Sequence, residues 1–133
     1  MELSSISAIA FGGGIGALLR YFVANAGQSL TPSDFPLGTL IVNIAGCALI
    51  GFITALLIGP LSANRELLRL FLIVGILGGF TTFSTFGIDT FELFEDGRIR
   101  QAFMYVLLSN IFGILAAYGC FRLGALLFQP TSS

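Results

Sequence analysis

The chain has 133 residues, 56% of them hydrophobic and only 10% charged, with a mean hydropathy of +0.96. That composition lies outside the range of soluble domains of this size and marks an integral membrane protein. A net charge of −1, with no histidine and arginine as the only basic residue, excludes a basic nucleic-acid surface and a polybasic lipid-binding tail, and it leaves no histidine for metal binding or acid–base chemistry.

The pattern predicts a single all-α membrane domain of four transmembrane helices, over residues 4–26, 37–59, 65–92 and 99–127. The first has neither a basic lead-in nor a small-residue cleavage site, so it reads as a span and not as a removed signal. Gly12 with Gly16, and Gly13 with Ala17, repeat at four-residue spacing. Small residues so spaced let a second backbone approach, which drives helix association where lipid supplies no hydrophobic force. Arg20 lies three-quarters along this span; it either snorkels to the interface or lines an aqueous vestibule. Residues 27–36, with glycine, two prolines and Asp34, form the first loop.

The second span carries no charge but places Gly38, Thr39 and Asn43 in its first two turns. Thr39 and Asn43 are four apart and share a face. The asparagine either bonds a neighbouring helix or touches a solute. Gly59-Pro60 ends the helix, and a polar turn leads into the third with Ser62 or Asn64 as its N-cap. Cys47 and Cys120 sit mid-span among apolar neighbours and read as two buried thiols.

No charged residue occurs from Leu70 to Ile88, yet Gly75, Gly78, Gly79, Thr81, Thr82 and Thr85 make the middle of this third span a poor helix. A break is predicted within residues 75–82. Irregular backbone at membrane depth persists only where its freed N–H and C=O groups face protein, water or an ion, so a break here implies an ion pathway. Beyond it, Phe83 and Phe86 line one face of a helix, with Ser84 and Thr85 between them. Such a pair is either packing or pore wall. In the fourth span Tyr105, Ser109 and Gly113 share a face, giving a narrow polar stripe that serves either as a track or as interhelical hydrogen bonds. A short tail over residues 129–133 is expected to fray.

Arg65, Arg69 and Arg122 fall on one side of the membrane, and Arg20, Arg98 and Arg100 on the other. Three against three gives no orientational bias. Copies inserted both ways can pack about a two-fold axis in the membrane plane, so an antiparallel, dual-topology homodimer is predicted.

Three ordered motifs, Gly12-Gly13 through Gly16-Ala17-Leu18-Leu19-Arg20-Tyr21, Gly38-Thr39-Leu40-Ile41-Val42-Asn43, and Gly78-Gly79-Phe80-Thr81-Thr82-Phe83-Ser84-Thr85-Phe86, resemble those of the Fluc (CrcB) fluoride channels. The resemblance covers essentially all four spans. It implies two antiparallel pores per dimer that release fluoride passively across the bacterial plasma (inner) membrane and reduce its toxicity. It further implies a central structural Na⁺ held by the main-chain carbonyls of Gly78 and Thr81 from each chain. Phe83 and Phe86 would form an aromatic box, Asn43 an anion-contacting amide, and Ser84, Thr85, Tyr105, Ser109 and Thr39 the polar lining, with Arg20 as vestibule or anchoring cation. The chain departs from the pattern at Gly87-Ile88-Asp89, where serine and glutamate are expected.

Two other classes fit less well. A proton-coupled small multidrug exporter needs a carboxylate inside the first span, which has none after Glu2. An enzyme lacks evident acid–base groups within the membrane, since the carboxylates lie at span ends and in loops. The partners that the resemblance implies are the fluoride ion, a second copy of the chain and membrane lipid.

Overall fold

The structure, a computed structural model, describes residues 2–128; the tail expected to fray lies outside them. Four helical spans are long and apolar enough to cross a membrane: Leu3–Gln28, Leu37–Ile58, Ser62–Glu95 and Ile99–Phe128. The all-α, four-span expectation is met. Helices α1 (Leu3–Gln28) and α2 (Leu37–Ile58) are continuous, and so is the fourth span. The third is a composite: a 3₁₀ turn (Ser62–Asn64), α3 (Arg65–Leu68), a π-helical stretch (Arg69–Leu77), α4 (Gly78–Phe80), α5 (Phe83–Glu95). The fourth span is α6 (Ile99–Phe128).

Neither residue expected to cap the third helix does so. Asn64 occupies the N-cap of α3 without a side-chain hydrogen bond, and Ser62 opens the 3₁₀ turn. The turn winds directly into α3, so its own carbonyls serve the amides that a cap would otherwise satisfy.

Missing side chains bring the helices together. A Cβ on Gly12 would collide with the Phe71 carbonyl oxygen, one on Gly16 with that of Ile76, and one on Gly79 with that of Gly13. Helix α1 therefore lies with its backbone directly against the π-helical stretch and α4, as the four-residue spacing of small residues implies. On the opposite flank α2 runs along α6, the most extensive pairing in the molecule. There Gly51 abuts the Ala117 carbonyl and Gly124 abuts Ala55. Two small cores follow from this arrangement. One joins Leu40, Leu93, Ala102 and Tyr105, and the other Val42, Leu77 and Phe80.

The break falls at the end of the predicted window, and not on its glycines. Gly75, Gly78 and Gly79 are all helical, whereas Thr81 (φ −79°, ψ 158°) and Thr82 (φ −150°, ψ 116°) are extended. Branching at Cβ makes threonine comfortable in that region, while Gly75 and Gly79 are used for contact with α1.

Candidate functional site at the helix break

Two extended residues in the middle of a membrane need partners for their backbone, and Asn43 on α2 supplies them. Its Nδ2 donates to the Thr82 carbonyl at 2.9 Å, and the Thr82 amide donates to its Oδ1 at 2.8 Å. Gly46, one turn further along α2, makes room: a Cβ there would strike the Thr81 methyl group. Thr82, 8% exposed, then caps the next helix. Its Oγ1 accepts from the Thr85 amide at 3.1 Å and donates to the Thr85 hydroxyl at 3.0 Å, with the Ser84 hydroxyl at 3.3 Å.

These bonds redirect the helical ladder. In an uninterrupted helix the amides of Thr82 and Thr85 would serve the carbonyls of Gly78 and Thr81, four residues earlier. Here they go to Asn43 and Thr82, so those two carbonyls lose their regular donors. The Thr81 carbonyl is approached by Arg20 instead, whose Nη1 lies 3.4 Å from it. Arg20 thus neither snorkels freely nor stands alone in a vestibule. It turns inward on the α1 face that also carries Gly12 and Gly16.

A cavity of about 370 Å³ opens beside the break, and Asn43, Gly78, Thr81, Phe83, Phe86 and Ser109 all line it. Six positions predicted from the sequence, drawn from three spans, therefore meet at one place. Asn43 retains a second amide N–H beyond the one bound to Thr82. The Ser109 hydroxyl is buried and without a hydrogen-bond partner, which calls for a ligand or water at that point. Phe83 and Phe86 lie with ring centroids 5.6 Å apart, and Phe83 is 84% exposed on this chain.

The remaining predicted residues stand outside the cavity wall. Ser84 and Thr85 belong to the cap around Thr82. Tyr105 is fully buried behind the box, its ring 5.2 Å from Phe86 and 5.7 Å from Phe35, and its hydroxyl donates to Asp89 Oδ2 at 3.1 Å. Thr39 lies beside the same hydroxyl. Three residues were not singled out in advance for what they do here: Thr82 as the brace and cap, Asp89 as the acceptor for Tyr105, and Cys47 as part of the cavity wall. Thr82 had a readable signal, a hydroxyl residue immediately before a new apolar period. Both cysteines are free thiols, as expected, but half-buried and not buried.

A family model described as CrcB-like protein, Camphor Resistance (CrcB), matches residues 7–127. Among similar proteins, the fluoride-specific ion channel FluC of Agrobacterium fabrum is 44% identical over 124 residues, covering 93% of this chain and 98% of its own. A protein of the same name from Hydrogenobaculum sp. is 45% identical over 121 residues, 90% of this chain and 97% of its own. That of Paracoccus denitrificans is 46% identical over 122 residues, with 90% and 94% covered.

Proposed function

The chain belongs to the CrcB family, and from that premise we propose that it is a fluoride-selective channel of the bacterial inner membrane that lets fluoride leave the cell passively. Similarity over nine-tenths of the chain to proteins named as fluoride-specific channels supports the ion. The observation that carries the local reading is the convergence of Asn43, Phe83, Phe86 and the partnerless Ser109 hydroxyl on one cavity.

Fluoride is small and strongly hydrated, so a selective path has to offer hydrogen-bond donors as water is shed. The spare Asn43 N–H and the Ser109 hydroxyl are uncharged donors of that kind. Phenylalanine edges carry the positive part of the ring quadrupole and can face an anion while their bulk narrows the passage. With no charged side chain on the wall, binding stays weak enough for release.

The working unit in this proposal is two copies in opposite orientations, enclosing two antiparallel pores. Two features favour it: the balance of arginines between the two sides, and the exposure of Phe83, a cavity-lining ring that stands open on its own chain and can face a second copy. A structural Na⁺ on the two-fold axis would be held by Gly78 and Thr81 of each chain. The fit is chemical, because both carbonyls are hard oxygen donors freed from the helical ladder at the break. Bound there, the ion would supply positive charge to two oxygens that have lost their amide donors.

Efflux from liposomes containing the purified chain, followed with fluoride and chloride electrodes, tests the function. Rapid fluoride release with chloride retained is expected. No fluoride release, or equal release of both ions, overturns the proposal.

A further inference from the structure

Arg20 is a cation within a membrane span, three-quarters along α1, and among the described residues its charge has no carboxylate partner: the ion pairs are Arg69 with Glu66 and Arg98 with Asp34. Membrane arginines are ordinarily paired with an acid or with backbone carbonyls. Arg20 takes the second course. Gly12, Gly16 and Arg20 follow at four-residue spacing on one face of α1, so the contact of Gly12 and Gly16 with the backbone of the third span aims Arg20 at the break. Its Nη1 reaches the Thr81 carbonyl, which is also one of the oxygens freed when the Thr85 amide is taken by Thr82.

We infer that Arg20 and the structural cation share the Thr81 oxygen, and that Arg20 thereby sets how tightly the cation is held. This rests on the cation reading given above. A carbonyl oxygen has two lone pairs, so an arginine N–H and a cation can use it together. Sharing weakens the cation in two ways. The hydrogen bond draws electron density from the oxygen, and the guanidinium charge stands within one oxygen's breadth of the ion, where like charges repel through a medium less polar than water. The guanidinium also supplies a partner to the oxygen before any cation arrives, so the break is held in place and the site is not assembled by the ion alone. Arg20 is in this sense a positioning residue with a tuning effect, distinct from the groups that line the anion cavity.

The test is the thermal stability of the purified dimer in detergent as Na⁺ is titrated against a large organic cation at constant ionic strength. A ligand that binds the folded form raises the melting temperature once its concentration exceeds the dissociation constant, and the rise then continues logarithmically, so the Na⁺ concentration at which the rise sets in reports affinity, while the melting temperature without Na⁺ reports any structural loss. Arg20→Gln is expected to lower the melting temperature without Na⁺ and to move the onset to about tenfold lower Na⁺; Arg20→Lys, which keeps the charge, should stay within about threefold of the parent chain. An unchanged onset in Arg20→Gln, or one at higher Na⁺, overturns the inference while leaving the cation reading intact. A parent chain with no Na⁺-dependent rise overturns both. Should Arg20→Gln fail to fold, ¹⁵N-arginine labelling of the parent chain gives the answer without substitution: one guanidinium resonance should shift over the Na⁺ range in which the rise sets in, and six unmoved resonances sink the inference.

Discussion

Asn43 holds the backbone of Thr82 at both ends, donating to its carbonyl at 2.9 Å and accepting from its amide at 2.8 Å. A side-chain amide is here used as a strand neighbour would be, pairing an extended residue where no strand exists. Asn43→Ala leaves both groups unpaired within the membrane. At about 1–3 kcal/mol for each unsatisfied group, the loss of stability should be about 2–5 kcal/mol, measured by denaturant titration of the purified protein, with fluoride flux falling alongside. Asn43→Asp keeps the acceptor for the Thr82 amide but turns a second acceptor on the Thr82 carbonyl. It should lose flux as fully and lose comparable stability; a variant as stable as the parent would show that the bracket contributes nothing.

The two phenylalanines of the cavity differ in what backs them. Phe86 rests on the buried Tyr105 ring, while Phe83 is exposed on its own chain. Phe83→Ile and Phe86→Ile should each cut fluoride efflux by at least about tenfold, an interaction worth roughly 1.4 kcal/mol in the passage. Within the chain Phe86→Ile should cost more stability than Phe83→Ile, by about 1 kcal/mol, because it loses its pairing with Tyr105 as well as with Phe83. Efflux at the parent rate from both variants would mean the rings only pack.

The main features of the fold were legible in the sequence because a membrane span announces itself by length and hydropathy, as residues 70–88 do with no charge at all. Small-residue spacing likewise predicted that Gly12 and Gly16 meet another helix. What could not be read was how the broken backbone is satisfied. Glycines and threonines alike looked like weak points because their helix propensity is low, and propensity says nothing of a neighbouring helix that needs the glycines for contact. The break went to Thr81 and Thr82, whose partner Asn43 lies 39 residues from Thr82 in sequence, and no local pattern encodes such a pairing. Asn43, Phe83, Phe86 and Ser109 were legible as polar or aromatic exceptions on apolar helices. Ser84 and Thr85 had the same appearance, yet their hydroxyls turn to that of Thr82, the residue that caps the helix.

The glycine run of α1 offers a controlled comparison. Gly14 has open space where a Cβ would be, while Gly12 and Gly16 would drive theirs into the Phe71 and Ile76 carbonyls. Gly14→Ala should be neutral, or stabilising by up to about 1 kcal/mol through helix propensity. Gly16→Ala should destabilise by about 2 kcal/mol or more, because backbone cannot move aside as a side chain can. Thermal melts of the two variants side by side decide it; equal melting temperatures would mean that α1 does not lie against the third span.

Tyr105 and Asp89 form a second contact that a double substitution can isolate. The Tyr105 hydroxyl donates to the Asp89 carboxylate at 3.1 Å behind the Phe86 ring. Tyr105→Phe keeps the ring and removes the donor, and Asp89→Asn removes the charge. Each alone should cost about 1–3 kcal/mol, the range for hydrogen bonds to charged groups. Together they should cost less than the sum, by a coupling of about 1 kcal/mol or more. Strict additivity would mean that the two groups do not act as a pair.

Orientation gives the most direct test of the antiparallel assembly. The proposed assembly takes the balance of Arg65, Arg69 and Arg122 toward one end of the bundle against Arg20, Arg98 and Arg100 toward the other to leave insertion without a preferred direction. Two further arginines at exposed positions of the turn before α3 should fix one orientation, and two in the loop between α5 and α6 should fix the other. Neither biased chain can then form an antiparallel pair alone, so each expressed singly should fail to protect fluoride-sensitive cells, whereas both expressed together should restore protection. If either biased chain protects by itself, a single orientation is sufficient for function and the antiparallel assembly is wrong.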